Sequence, residues 1–170
     1  MTRAKDIADI PTDTRYIQVP FAATTIGTSE TTMALTNQTS SVGMPRTTSF
    51  TVSDSDETIA IETAGVYQLS ILAQINNDGA TRENYIWGFK ANGSVPTSSS
   101  TCILKCYFVD SNTLSGVNYY SVAATSIFEA TGTDTKIKFF GRMVNDSGVL
   151  QINTAHAQSC VTLIRIDIGN

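Results

Sequence analysis

The sequence predicts an all-β protein, a jelly-roll β-sandwich of about eight to ten strands. Three observations predict it. First, in the run Ala64 to Asn76 the residues Tyr67, Leu69, Ile71, Ala73 and Ile75 alternate with Gln68, Ser70, Gln74 and Asn76. Strand side chains point to opposite faces in turn, so one face of this run is apolar and the other mostly wet. Second, similar short runs recur along the chain, punctuated by Asn, Asp, Gly and Ser turns. Third, only 15% of residues are charged, 41% are hydrophobic, and Thr, Ser, Asn and Gly are abundant. β-Branched residues favour strands, and Ser, Asn and Gly favour turns. A length of 170 residues fits one domain with a proper core.

Residues 1–20 read as an N-terminal arm or anchor and residues 21–170 as the jelly-roll domain. Thr2 to Ile10 predicts a short helix with Thr2 as its cap, ended by Pro11. Tyr16 to Phe21 reads as extended. The arm has no core of its own, so Ile7, Ile10, Tyr16, Ile17 and Val19 are expected to anchor it on neighbours in an assembly. Residues 22–49 read as short strands between long loops. Phe50/Val52 and Ile59/Ile61 are brief alternating pieces on either side of Ser53-Asp54-Ser55-Asp56-Glu57. That acidic loop has the oxygens a calcium ion wants, but not the spacing of a calcium loop, and Asp and Ser are also ordinary turn residues.

Beyond the long strand, Asn77-Asp78-Gly79 signals a turn, and Tyr85, Trp87, Phe89 and Ala91 share one strand face before Asn92-Gly93. Cys102 to Val109 is nearly all apolar. Tyr120, Val122, Ala124, Ser126 and Phe128 form an inner face, as do Ile137, Phe139, Gly141 and Met143, with Lys136, Lys138 and Arg142 outward. The last strand, Ser159 to Ile168, has Cys160, Thr162, Ile164, Ile166 and Ile168 on one side and Val161 and Leu163 on the other. Apolar residues on both faces suit a central strand or a subunit interface.

Chemistry is sparse. The net charge of −4 and scattered basic residues argue against a nucleic-acid partner. No run approaches a membrane span, and no secretory signal stands at the start. Cys102, Cys106 and Cys160 read as reduced core thiols of a protein assembled in cytoplasm; Cys102 and Cys106 would share one strand face, too far apart for a disulfide. With His156 they lack zinc-ligand spacing. No nucleophile elbow, phosphate loop or dinucleotide fingerprint is present. His156 has no neighbouring carboxylate, and Asp56 and Glu57 are side by side rather than facing. No cofactor and no enzymatic activity are expected. The sequons at Asn37, Asn92 and Asn145 matter only in a secreted protein.

The order of pieces carries a resemblance. Ile59 and Ile61 lead into Thr63-Ala64-Gly65-Val66-Tyr67 and the long strand; an aromatic strand ends in Asn92-Gly93; Thr131-Gly132-Thr133-Asp134 precedes Ile137; Leu163-Ile164-Arg165-Ile166 closes the chain. Roughly residues 45–168 resemble the jelly-roll domain shared by the complement globular head and tumour necrosis factor, which bacteriophage structural proteins also carry. In that family a Gly-x-Tyr opens a central strand and a Gly-Asp pair precedes a late one; here Thr133 splits Gly132 from Asp134. Met1 to Asp9 resembles the start of phage virion proteins. The resemblance implies a homotrimer packed through apolar and aromatic residues, with Tyr107, Tyr119 and Phe140 as outward-facing interface candidates. It implies a virion surface protein, a capsid decoration or cement protein docked through its arm. Its partners would be other virion proteins of the capsid, portal, tail or fibre. The alternative is the receptor-binding tip of a tail or head fibre, meeting a host surface glycan or receptor through loops such as 77–84 and 110–118. A polysaccharide-degrading virion enzyme is a third reading, disfavoured by the missing acid–base pair.

Overall fold

The computed structural model describes residues 16–36, 50–77, 82–110, 118–131, 134–144, 150–152 and 159–166. These form twelve strands and no helix. They are β1 (Tyr16–Pro20), β2 (Thr24–Ile26), β3 (Thr31–Thr32), β4 (Phe50–Ser53), β5 (Thr58–Ile61), β6 (Gly65–Asn77), β7 (Arg82–Asn92), β8 (Thr101–Asp110), β9 (Asn118–Ala130), β10 (Thr135–Met143), β11 (Leu150–Ile152) and β12 (Cys160–Arg165). All pair antiparallel in two sheets. Sheet I runs β1-β12-β6-β11-β2, with β9 on the other side of β6; sheet II runs β4-β5-β10-β7-β8, with β3 also on β10. The result is the expected jelly-roll sandwich.

The long strand β6 is its centre. Tyr67, Leu69, Ile71 and Ala73 are buried, as alternation predicts. Strand β9 pairs with β6 along its whole length, while β12 holds the other side over Tyr67–Leu72. From β12 come Val161 and Leu163; from β9, Val122 and Phe128. Sheet II answers with Ile59, Ile61, Ile86, Leu104, Ile137, Phe139 and Met143. The Tyr67 ring meets Phe50 edge-on and stacks on Phe128, and its hydroxyl donates to the Thr63 carbonyl at 2.8 Å. A buried phenol thus keeps its polar tip paired.

The chain start requires a correction. Tyr16 to Pro20, read as part of an arm docked on neighbours, is edge strand β1 of the same chain, in register with β12 from Tyr16↔Ile164 to Pro20↔Cys160. Val19 is buried at 3% exposure, and Ile17 packs against the core. An extended segment with alternate apolar residues found a sheet edge to complete. The sandwich therefore includes Tyr16–Pro20. Ile7, Ile10 and the expected helix over Thr2–Ile10 lie outside the described residues, as does His156.

A bulge supplies a second difference. Gly88 faces Leu104 but Phe89 faces Cys102, so Ile103 is an extra residue in β8. Cys106 still packs against the core, whereas Cys102 is turned out and exposed. Simple alternation would have put both on one face.

Candidate functional site

The inner faces are filled, so the outer faces are where this fold meets other molecules. They differ. On sheet I the outward residues of β9 are Ser121, Ala123, Thr125, Ile127 and Glu129, all exposed. Cross-strand pairing sets Tyr16, Ile164, Gln68 and Ile127 in one row over β1, β12, β6 and β9. Ile127 is 65% exposed, Ile164 37% and Ile166 36%. The Ile166 amide donates to the Val66 carbonyl, which holds that residue beside the row. The next row, Gln18, Thr162, Ser70 and Thr125, is polar, with Ser70 and Thr125 hydroxyls 3.1 Å apart. Sheet I thus carries an apolar patch at one end of a small, flat polar face.

On sheet II the outer face of β7, β8 and β10 is aromatic and basic. Tyr85 and Trp87 are stacked with centroids 5.2 Å apart and planes 4° from parallel. Tyr107, on the neighbouring strand, meets Tyr85 at 4.7 Å. The Lys105 ammonium lies 5.5 Å from the Tyr85 ring centre and the Lys138 ammonium 5.9 Å from that of Phe140. Phe140 in turn packs edge-on against Phe89 at 5.7 Å. The Tyr107 phenol is held above its ordinary range, first by desolvation and then by the Glu83 carboxylate, to which it is also hydrogen-bonded, and by Tyr85. It stays a neutral hydroxyl through physiological pH.

The interface candidates are therefore not one cluster. Tyr107 is exposed on the outer face of sheet II. Phe140 is on the same outer face, as alternation requires, but only 7% exposed, because Phe89 and Lys138 cover it within the same subunit. The backbone of Tyr119 pairs with Asn76 on sheet I, away from both; its side chain lies outside the description. Alternation had missed Ile127 and its exposure. The available signal was one large aliphatic residue among Ser121, Ala123, Thr125 and Glu129 on the odd positions of β9.

The acidic loop is a closed turn. The Asp56 amide donates to Ser53 Oγ at 3.2 Å, and Ser53 and Ser55 hydroxyls are 3.1 Å apart. Glu57 adopts φ 54° and turns its carboxylate back to accept the Leu35 amide. That carboxylate is spent on joining two loops. Among the described residues no group of three or more His, Cys, Asp or Glu is placed to hold a metal. No helix among them is long and apolar enough to cross a membrane.

No family model matches the chain, and no curated protein matches it. Solved structures do. Murine APRIL, determined at pH 5.0, superimposes with a TM-score of 0.59 at 10% identity, covering 89% of this chain and 98% of that one. Eiger, the tumour necrosis factor of S. frugiperda, gives a TM-score of 0.55 at 13% identity, covering 92% of this chain and 96% of that one. The fold of this chain is thus a jelly roll of the tumour necrosis factor type.

Proposed function

We propose that this protein is a non-enzymatic structural protein that works as a homotrimer on the surface of a bacteriophage virion. It would serve there as a capsid decoration or cement protein, docked through the residues ahead of β1 and made in the host cytoplasm. The observation that carries the assembly is the exposed row of Ile127, Ile164 and Ile166 on sheet I. Ile164 and Ile166 are on one strand and Ile127 is across Gln68 from them, and exposed large apolar residues gathered at one end of a polar face outside a filled core mark an interface. Three copies of one apolar patch can meet on a threefold axis, while the rest of a threefold interface joins two different surfaces of neighbouring subunits. The jelly-roll likeness supports the trimer, and the resemblance of Met1 to Asp9 to phage virion proteins supports the location.

Native mass spectrometry tests the assembly. A trimer is expected at micromolar concentration, and a monomer alone would overturn it. Removal of residues 1–15 should leave a folded trimer that no longer attaches to the particle; undiminished attachment would sink the anchor. A second reading, a receptor-binding tip, is favoured by the aromatic and basic face of sheet II, which β-sandwich packing does not require.

A further inference from the structure

The chain is acidic overall, with a net charge of −4, yet its described cations converge. Side chains are described for Lys90, Lys105, Lys136, Lys138, Arg142 and Arg165. Four of them, Lys105, Lys136, Lys138 and Arg142, stand on the outer face of sheet II. Register sets Phe140, Trp87 and Lys105 in one row, Arg142, Tyr85 and Tyr107 in the next, and Lys138 beside Phe89. Along β10 the cations at 136, 138 and 142 are spaced by about 7 Å and about 14 Å on one face. Acids stand near them too: Glu83, engaged by Tyr107; Asp134, 3.8 Å from Lys136; Glu62, which accepts from the Thr51 hydroxyl in the row of Lys136; and Glu30, which precedes the Thr31 paired with Gly141. Arg142 Nε donates to the Thr28 carbonyl at 3.0 Å, which fixes the guanidinium and leaves its other donors outward.

We infer that this face binds an acidic polysaccharide, a polymer of hydroxyl-bearing sugars that carry carboxylate or sulfate groups. Charge complementarity calls for an anion, and the spaced row of cations calls for a repeating one. Ring orientation argues against a nucleic acid. Tyr85 stacks on Trp87 and meets Tyr107 at a tilt of 33°, with Lys105 over the same ring, so the Tyr85 faces a base would use are largely occupied. Tyr107 and Val109 leave some apolar surface exposed on this face, at 48% and 54%, but Phe89 and Phe140 are already covered, and the exposed isoleucines lie on sheet I. Sheet II offers hydroxyls, ammonium groups and a guanidinium, which are donors suited to the oxygens of an acidic sugar. The inference stands apart from the trimer and the virion, because one subunit carries the whole face.

The test measures binding of the full chain to polygalacturonate and dextran sulfate, with neutral dextran, poly-L-glutamate and oligothymidylate as comparisons. At least one acidic polysaccharide should bind, more weakly as salt rises. The double variant Lys105→Gln/Lys138→Gln should bind roughly tenfold more weakly, with an unchanged fold by circular dichroism. Tyr107→Phe should weaken binding a few-fold without changing the salt dependence, since it removes a hydroxyl and no charge. A monomeric Ile127→Asp variant should still bind a short oligogalacturonate, which separates this outcome from the fate of the trimer. The inference is overturned if neither polysaccharide binds, if the double variant binds as well as the parent, or if poly-L-glutamate or oligothymidylate binds equally tightly.

Discussion

On β9 the outward side chains are Ser121, Ala123, Thr125, Ile127 and Glu129; on β7 they are Glu83, Tyr85, Trp87 and Phe89. Both strands are long, both alternate, and both turn their even positions inward through the middle of the strand. Their patterns nevertheless run in opposite senses. On β9 the large residue Phe128 points inward. On β7 the inward positions are Asn84, Ile86 and Gly88, and the bulk is outside. The cause lies across the sheet. Gly88 faces Phe139 on β10, and a Cβ at Gly88 would sit 3.2 Å from Phe139 Cε1. One large ring fills the core at that point, so its partner must be small. Alternation reports that residues share a face; packing against the neighbour decides which face is the inner one.

The largest effect should come from the shared interior beneath both faces. Leu69 is fully buried, and Gln68 beside it is on the outer face of sheet I. Leu69→Asp buries an unpaired carboxylate and should cost more than about 4 kcal/mol, abolishing cooperative unfolding. Gln68→Asp should cost under about 1 kcal/mol in the same chemical denaturation. A folded, assembling Leu69→Asp protein would refute the placement of β6. On sheet II, Phe140→Ala should cost about 2–3 kcal/mol, because the ring is nearly buried between Phe89 and Lys138 although it is on an outer face. Tyr107→Ala, at 48% exposure, should cost under about 1 kcal/mol. Equal costs would mean that the outer face has no packed layer of its own.

A smaller effect separates the two faces of β10. A Cβ on Gly141 would lie 3.2 Å from Ile26 Cγ1 and Cγ2, and closer still to Cδ1. Gly141→Ala should therefore cost about 1–3 kcal/mol by overpacking, read from the urea midpoint. Arg142→Ala, one residue along on the outer face, should move that midpoint little. If Gly141→Ala proved neutral, Ile26 would have room to move and the contact between β2 and β10 would be loose.

The interior of this fold was legible where one strand held a wet face and a dry one. Tyr67, Leu69 and Ile71 on β6, and Ile137, Phe139 and Met143 on β10, could be read directly. So could the Asn92-Gly93 turn, where Gly93 takes φ 71° and its amide meets the Asp134 carbonyl. Strand β1 was not legible as part of the sandwich. Its hydrogen-bond partner is β12, at the far end of the chain, and no local pattern encodes a pairing at that separation. The two outer faces were only half legible. The sequence showed Lys136, Lys138 and Arg142 together, but Lys105, Trp87 and Tyr85 join them only through the register of three strands. The Ile127–Ile164 row likewise exists only because Gln68 lies between them.

The subtlest test concerns the bulge in β8. Without an extra residue, Cys102 and Cys106 would both face the core and react alike. With Ile103 inserted, Cys102 is exposed on the sheet II side, while Cys106 packs against the core and burial pushes its thiol up. Thiolate is the reactive form, so burial slows Cys106 twice, by access and by protonation. Mild disulfide-exchange labelling at pH 8 should modify Cys102 fast and Cys106 roughly ten or more times more slowly, read by peptide mass spectrometry. Raising the pH to 9.5 should narrow the gap, because it restores thiolate at Cys106 without opening the sheet. Equal rates at pH 8 would remove the bulge. They would also shift the register that sets Lys105 beside Trp87, and with it the alignment of the basic face.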